Sequence, residues 1–237
     1  WSTSTLTNVR AVICPSQFAA SEVRELLGVA EVVVAPNGVS DLFRHAVAVT
    51  PFRRRELGLA RPFVLHVGGA SMRKNLAGLA DAWRAVTAAV PDVTLALAGP
   101  PDSRRDRLFH GSERVVLLGY RTPEEVAALM KAALLVVVPS IYEGFGLPAL
   151  EAMAAGVPVV ASRAGALPEV CADAAVLCEP DGASLAEAII ETVNDSTLRE
   201  ALTERGRIRS RSFTWERSAR VHLDAYNRAF GCKSAPP

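Results

Sequence analysis

Residues Val136–Val170 read VVVPSIYEGFGLPALEAMAAGVPVVASRAGALPEV. The apolar run Leu134–Val138 that leads in has the composition of a strand buried on both faces. A loop follows, holding Glu143, Gly144 and Gly146. Pro148 suits the first turn of a helix, where its missing N–H is not needed. That helix runs from Leu147 to about Ala155 and stops at Gly156, with Pro158 just beyond. Val157–Ala161 is a second buried strand. Strand, glycine loop, helix and strand in this order turn backbone N–H groups and a positive helix end toward the loop, which makes an anion site. Glu143 precedes the helix and Glu151 sits about one turn inside it, so both carboxylates face one crevice mouth. Amides for phosphate and carboxylates for hydroxyls together suit a sugar nucleotide.

Outward from this unit the same alternation repeats. Phe63–Val67 reads as a strand, followed by the loop Gly68–Asn75 and a helix Leu76–Ala89 with Leu76, Leu79, Ala80, Trp83 and Val86 on one face. Val93–Ala98 is the next strand, then a polar segment Asp102–His110 with weak helical character, then strand Val115–Leu118. Thr122, Pro123, Glu124 and Glu125 open a further helix, with a cap and an acidic first turn that suit its dipole. Alternation through Cys178 predicts an α/β fold: a Rossmann-like, doubly wound parallel sheet of about six strands. Helices alone follow, Ser184–Val193, Ser196–Arg209 and Trp215–Phe230, with Lys233–Pro237 as a frayed tail. Upstream, Arg10–Pro15 and Val32–Ala35 read as strands around a helix Gln17–Leu27 capped by Ser16.

Composition narrows the function. Half of the 237 residues are hydrophobic and mean hydropathy is +0.21, ample for a large core. A net charge of +1, with no basic run interleaved with aromatics, gives no reason to expect a nucleic-acid partner. Lys74, Lys131 and Lys233 are the lysines; arginine supplies the other basic residues. Cys14, Cys171, Cys178 and Cys232 form no CxxC pair and no zinc spacing with the histidines, so they read as free thiols of a reducing compartment. No apolar run approaches the ~20 residues of a membrane span, and WSTSTLTNVR lacks the pattern of a signal peptide. The expected location is cytoplasmic, with peripheral association at the inner face of the membrane left open.

Glu143, seven residues, then Glu151, embedded in EGFGLPALEA and followed by GVPVVAS and GALPEV, closely resembles the donor-site signature of retaining GT-B glycosyltransferases of family 4. ICPSQF and VVVAPNGVSDLF resemble the last βαβ portion of that family's N-terminal domain. The resemblance implies a division into residues 1–40 (remnant of the N-terminal acceptor domain), 41–61 (linker, an exposed charged segment with a short helix at RRREL), 62–213 (nucleotide-sugar-binding domain) and 214–237 (a helix crossing back, and tail). It implies that most of the acceptor domain precedes Trp1, and that any catalytic histidine belongs there. It also assigns roles. Lys74 clamps the donor diphosphate, with Arg73 beside it or else an ordinary surface arginine. Glu143 lies at the donor sugar and Glu151 on the ribose hydroxyls. Gly144, Phe145 and Gly146 offer backbone N–H groups to sugar hydroxyls and phosphate, and Leu147, with Gly68 and Gly69 of the first loop, also belongs to the donor site. Tyr120 and Arg121 contact the base, or simply pack. The arginine that commonly follows the glycine of that first loop is absent, because Gly69 stands there; the loop resembles instead a subgroup reading RKN.

The implied activity is transfer of a hexose from a nucleotide diphosphate sugar to an acceptor hydroxyl with retained anomeric configuration, by front-face attack. The RKN loop leans toward guanosine diphosphate mannose by family association; uridine donors stay open, and the acceptor is unreadable. No Asp-x-Asp occurs, so no metal-held diphosphate is expected, and no cofactor beyond the substrate nucleotide. The alternative is a binding module that holds a sugar nucleotide without catalysis, inactive without its acceptor domain. A dinucleotide oxidoreductase is disfavoured because no G-x-G-x-x-G follows Val67. Gly165–Glu169 reads equally as a loop near the phosphates or as helix capping. His66 reads as a core histidine rather than a ligand, and His45, His110 and His222 as surface residues.

Overall fold

A computed structural model describes residues 9–29 and 31–231. Cys232 and the expected frayed tail Lys233–Pro237 lie outside the described residues. The chain opens with β1 (Val12–Cys14), α1 (Gln17–Leu27) and β2 (Val32–Val34), the strands pairing in parallel. Ser16 caps α1 by accepting from the Ala19 N–H, and Gly28 ends it at φ 61°. Two short helices follow, α2 (Asp41–Arg44) and α3 (Pro51–Glu56).

The main body then alternates: β3 (Phe63–Val67), α4 (Leu76–Ala89), β4 (Thr94–Ala98), α5 (Ser103–Phe109), β5 (Val115–Gly119), α6 (Pro123–Ala132), β6 (Leu135–Val138), α7 (Leu147–Ala154), β7 (Val159–Ser162), α8 (Leu167–Cys171), β8 (Val176–Cys178) and α9 (Gly182–Asn194). Helices α10 (Ser196–Ser210) and α11 (Trp215–Phe230) close the chain. The six main strands are all parallel and ordered β5-β4-β3-β6-β7-β8. The chain therefore winds outward from β3 through β5, then returns to the middle at β6 and winds the other way. Between β3 and β6 the loops leave the sheet toward opposite faces, and that switch point opens a crevice at the carboxyl ends of the strands.

Strand alternation sorts the core into two layers. Phe63, Leu65, Val136, Val138, Val159 and Ala161 share one layer with buried residues of α6, α7 and α8. Val64, Leu95, Leu97, Leu135, Val137 and Val160 share the other with α4 and α9. Burial on both faces is why these strands are apolar along nearly their whole length, with His66, Thr94 and Ser162 as the polar exceptions.

Three segments depart instructively from the sequence expectation. β7 starts at Val159 rather than Val157, because the Val157 N–H closes the end of α7 on the Ala152 carbonyl and Pro158 has no N–H to give. The polar segment after β4 forms a full helix, α5, because Asp102 accepts from the N–H groups of Arg104 and Arg105 and Phe109 is buried. The segment 41–61 is less exposed than its charge suggests: α3 has no buried residue, but Phe43 and Leu59 enter the first core layer together with Val39. At the other end, the Arg10 guanidinium donates to the Ala229 carbonyl at 2.5 Å, bringing α11 back against β1. Among the described residues no helix is long and apolar enough to cross a membrane.

Candidate active site

The two loops at the switch point are stitched together by backbone and amide. After β3 the chain makes a single 3-10 turn, Met72–Lys74, and leaves it through Asn75 at φ 52°. The Asn75 side chain accepts from the Gly78 N–H at the start of α4 and donates to the carbonyls of Pro139 (3.0 Å) and Pro180 (2.6 Å). The Ile141 N–H donates to the Arg73 carbonyl at 2.9 Å. These bonds place Arg73 and Lys74 directly against the loop that follows β6.

Glu143 is the meeting point, only 5% exposed. Its Oε1 accepts from Lys74 Nζ at 2.5 Å and from Ser140 Oγ at 2.8 Å, and its Oε2 accepts from Arg73 Nη1 at 3.0 Å. Lys74 is buried too, whereas the Arg73 side chain is half exposed. Removing a carboxylate and an ammonium from water is tolerated only when their hydrogen-bonding capacity is met, as it is for this carboxylate. Two cations on one carboxylate leave the cluster with a surplus positive charge.

Helix α7 begins beside this cluster. Its N-cap is Gly146 at φ 103°, where a Cβ would lie 2.7 Å from the Leu167 side chain, so glycine is required there. No side chain caps α7. The N–H groups of Gly144, Phe145, Gly146 and Leu147 have no partner among the described residues, which leaves a row of donors at a helix N-terminus. The Phe145 ring is turned away into the core, edge-on to Phe213 at 5.8 Å, so its backbone is what faces the crevice. Leu147 likewise packs its side chain on the core.

Glu151, in the second turn of α7, forms no hydrogen bond or ion pair through its carboxylate among the described residues. Burial pushes its carboxyl up to about 7, against the opposing pull of the Lys74 charge. An unpaired, partly buried acid beside a cation is suited to receive hydroxyl donors. His66 is buried in β3, with Nδ1 3.2 Å from the Val137 carbonyl. Burial pulls it down to about 4, so the ring is neutral with its proton on Nδ1, and Nε2 is left without a partner.

The other sequence-flagged residues fall around this centre. Gly68 and Gly69 follow β3 on the same side as Lys74. Tyr120 is 68% exposed on the loop after β5, without packing that would hold it. Arg121 beside it is tied back, Nη2 donating to the Leu118 carbonyl at 2.7 Å and Nη1 reaching Glu125 at 3.5 Å. Gly165 presses on the backbone of Glu143, and the Ala166 N–H donates to the Glu143 carbonyl at 2.9 Å. Glu169 caps a helix, though not its own: it accepts from the Gln17 and Phe18 N–H groups at the start of α1, at 2.9 and 3.2 Å. Ser16 Oγ donates to the Gly144 carbonyl at 2.7 Å. That tie between α1 and the loop after β6 links residues 128 apart in sequence and leaves no local signature. His45 and His110 are exposed and His222 is half-buried.

Residues 50–209 match the sequence model of the family described as glycosyl transferases group 1. This chain belongs to that family. The group 1 glycosyltransferase chain is 36% identical over 172 residues to the O-antigen chain mannosyltransferase B of Escherichia coli, a match covering 69% of this chain and 45% of that protein. It is 33% identical over 214 residues to the D-inositol 3-phosphate glycosyltransferase of Corynebacterium glutamicum (strain R), covering 83% and 51% respectively. Among solved structures, the sucrose-phosphate synthase of Thermosynechococcus elongatus superposes with a TM-score of 0.82 at 30% identity, over 98% of this chain and 61% of that one. The chain thus spans about half the length of the curated relatives it matches, and its parallel sheet is the Rossmann-like fold of GT-B glycosyltransferases.

Proposed function

We propose that this group 1 glycosyltransferase chain is the donor-binding portion of a retaining enzyme that transfers a hexose from a nucleotide diphosphate sugar to an acceptor hydroxyl. The observation that carries the reading is the Arg73–Lys74–Glu143 cluster lying at the topological switch, beside the unpaired N–H groups that open α7. A diphosphate leaving group gains negative charge as the glycosidic bond breaks, and a fixed cation with a helix end beside it lowers that barrier more than it strengthens ground-state binding. Lys74, Arg73 and the α7 donors supply the neutralising charge from the protein itself, which favours a metal-independent reaction.

Glu143 is a poor candidate for a covalent nucleophile. It is buried, and both of its oxygens are engaged by cations and a hydroxyl. Its environment suits holding the donor sugar's hydroxyls and aiming Lys74, consistent with front-face attack assisted by the leaving phosphate. Glu151 suits the ribose. Tyr120, exposed at the rim, suits the base. Mannose is the favoured sugar, supported by the RKN loop and by a mannosyltransferase among the relatives, with GDP ahead of UDP as the carrier.

Calorimetric titration of the chain with GDP, UDP and ADP tests the reading. One nucleotide should bind, with Glu151→Ala weakening nucleoside and diphosphate alike and Lys74→Ala weakening the diphosphate more than the nucleoside. A folded chain that binds none of the three at millimolar concentration, alone or within a longer chain carrying the acceptor domain, sinks it.

A further inference from the structure

Arg105 has no role in the site as described, yet its environment is unusual. It lies on α5 and is only 2% exposed. Among the described residues no carboxylate comes within ion-pair distance of its guanidinium; Asp102 and Asp106 act on it only through space. Nη1 donates to the Pro100 carbonyl at 3.0 Å, Nη2 donates to the Gly68 carbonyl, and Nε is buried without a partner. A buried charge without a counter-ion is costly, and an apolar side chain of similar length would fill the space at less cost.

The neighbouring glycine is shaped around this contact. A Cβ on Gly99 would stand 2.0 Å from the Gly68 carbonyl oxygen and 2.7 Å from Arg105 Nη2. Only a residue without a side chain lets the guanidinium and that carbonyl meet. The Gly68–Gly69 peptide is trans, like every described peptide bond, so its carbonyl and the following N–H point in opposite directions. With the Gly68 oxygen drawn inward to Arg105, the Gly69 N–H is turned outward. It has no partner among the described residues, and a Cβ on Gly69 would meet nothing within 4 Å. On the other side of the loop, a Cβ on Gly68 would lie 3.4 Å from Lys74 Cε. Gly68 thus packs closely on the stem of Lys74, which puts the Gly69 peptide in the loop next to the lysine.

We propose that Arg105 is a positioning residue of the donor site: by holding the Gly68 carbonyl inward it presents the Gly69 N–H to an anionic oxygen of a nucleoside diphosphate. The inference rests on the donor-site reading above. A peptide donor fixed before the ligand arrives needs no reorganisation, and the guanidinium behind it adds unneutralised positive charge in a low-dielectric position.

The test is an amide-resolved NMR titration of the chain with GDP and UDP, and with guanosine and uridine for comparison. In the wild type the Gly69 amide should shift downfield with the bound diphosphate and stay put with its nucleoside. Arg105→Met should abolish that shift and weaken the diphosphate roughly tenfold, the loss of one charge-assisted hydrogen bond, while nucleoside affinity is unchanged. Arg105→Lys, which keeps a donor and a charge, should recover part of the affinity. Equal weakening of nucleoside and diphosphate would reduce Arg105 to a structural residue and overturn the proposal. So would a wild-type Gly69 amide that does not respond while those of Gly144–Gly146 do, a result that does not depend on any variant folding. A wild type that binds no nucleotide overturns the donor-site reading itself, and this inference with it.

Discussion

Glu151→Gln should make the protein more stable while making its site worse, and the size of the gain should depend on pH. Burial raises the Glu151 carboxyl from 4.5 to about 7. Between those two values the folded chain holds a proton that the unfolded chain has released. Stability is therefore greatest below about pH 4.5 and falls as the pH rises through 7, because the ionised acid must be kept partly out of water. A difference of this size corresponds to about 3 kcal/mol at pH 8, an upper figure since the carboxylate is not fully enclosed. Glutamine has the same length and no charge to desolvate. Urea unfolding at pH 5 and pH 8 should show wild type and variant close together at the lower pH and the variant ahead by up to about 3 kcal/mol at the higher. A variant less stable at pH 8, or a difference that does not change with pH, would refute the reasoning. Hydroxyl donors of a ribose would favour the carboxylate, so nucleotide binding to the wild type should also release protons near pH 7, seen as a dependence of calorimetric heat on buffer ionisation enthalpy.

Lys74→Met should cost about 3 kcal/mol in chemical unfolding, because it leaves Glu143 buried without its closest cation; adding Glu143→Gln should recover most of that loss. Gly146→Ala should lower stability by about 2 kcal/mol or more, from the φ of 103° together with the contact against Leu167, and should weaken diphosphate binding by displacing the first turn of α7. Glu169→Ala should remove the cap from α1 at a cost of about 1 kcal/mol, with faster hydrogen exchange at Gln17 and Phe18 and little change in α7.

What was legible in the sequence was what is decided locally. The starts of α1 and α6 follow from Ser16 and from Thr122 with Pro123–Glu125, residues whose capping chemistry acts within a turn. The parallel sheet was legible because strands buried on both faces are apolar along nearly their whole length and their helices intervene at regular spacing. The site was legible in part. Two acids on one strand–loop–helix unit can be placed relative to each other, and the separate roles of Lys74 and Glu143 came from family resemblance; their ion pair across 69 residues has no local signature and was not legible. Arg105 was invisible because nothing in SRRDRLF separates a buried guanidinium from the two others beside it; only the Gly99 contact does. Ser16 caps α1 as its sequence suggests, but its added bond to the Gly144 carbonyl, and the capping of α1 rather than α8 by Glu169, join distant segments and have no local signature.

The carboxylate of Glu143 gives the crevice a further property. On the donor-site reading proposed above, it already occupies the cations that a diphosphate would seek, so binding would be an exchange of anions rather than an addition. Arg73, half exposed, is the easier cation to recruit, and Lys74 follows only if the newcomer offers at least as much as the carboxylate it displaces. A small free anion competing for Lys74 alone gains little by this trade. A ligand that also brings hydroxyls to the released Glu143 would satisfy both sides at once, and on that reading the cluster would filter for molecules that carry sugar and phosphate together.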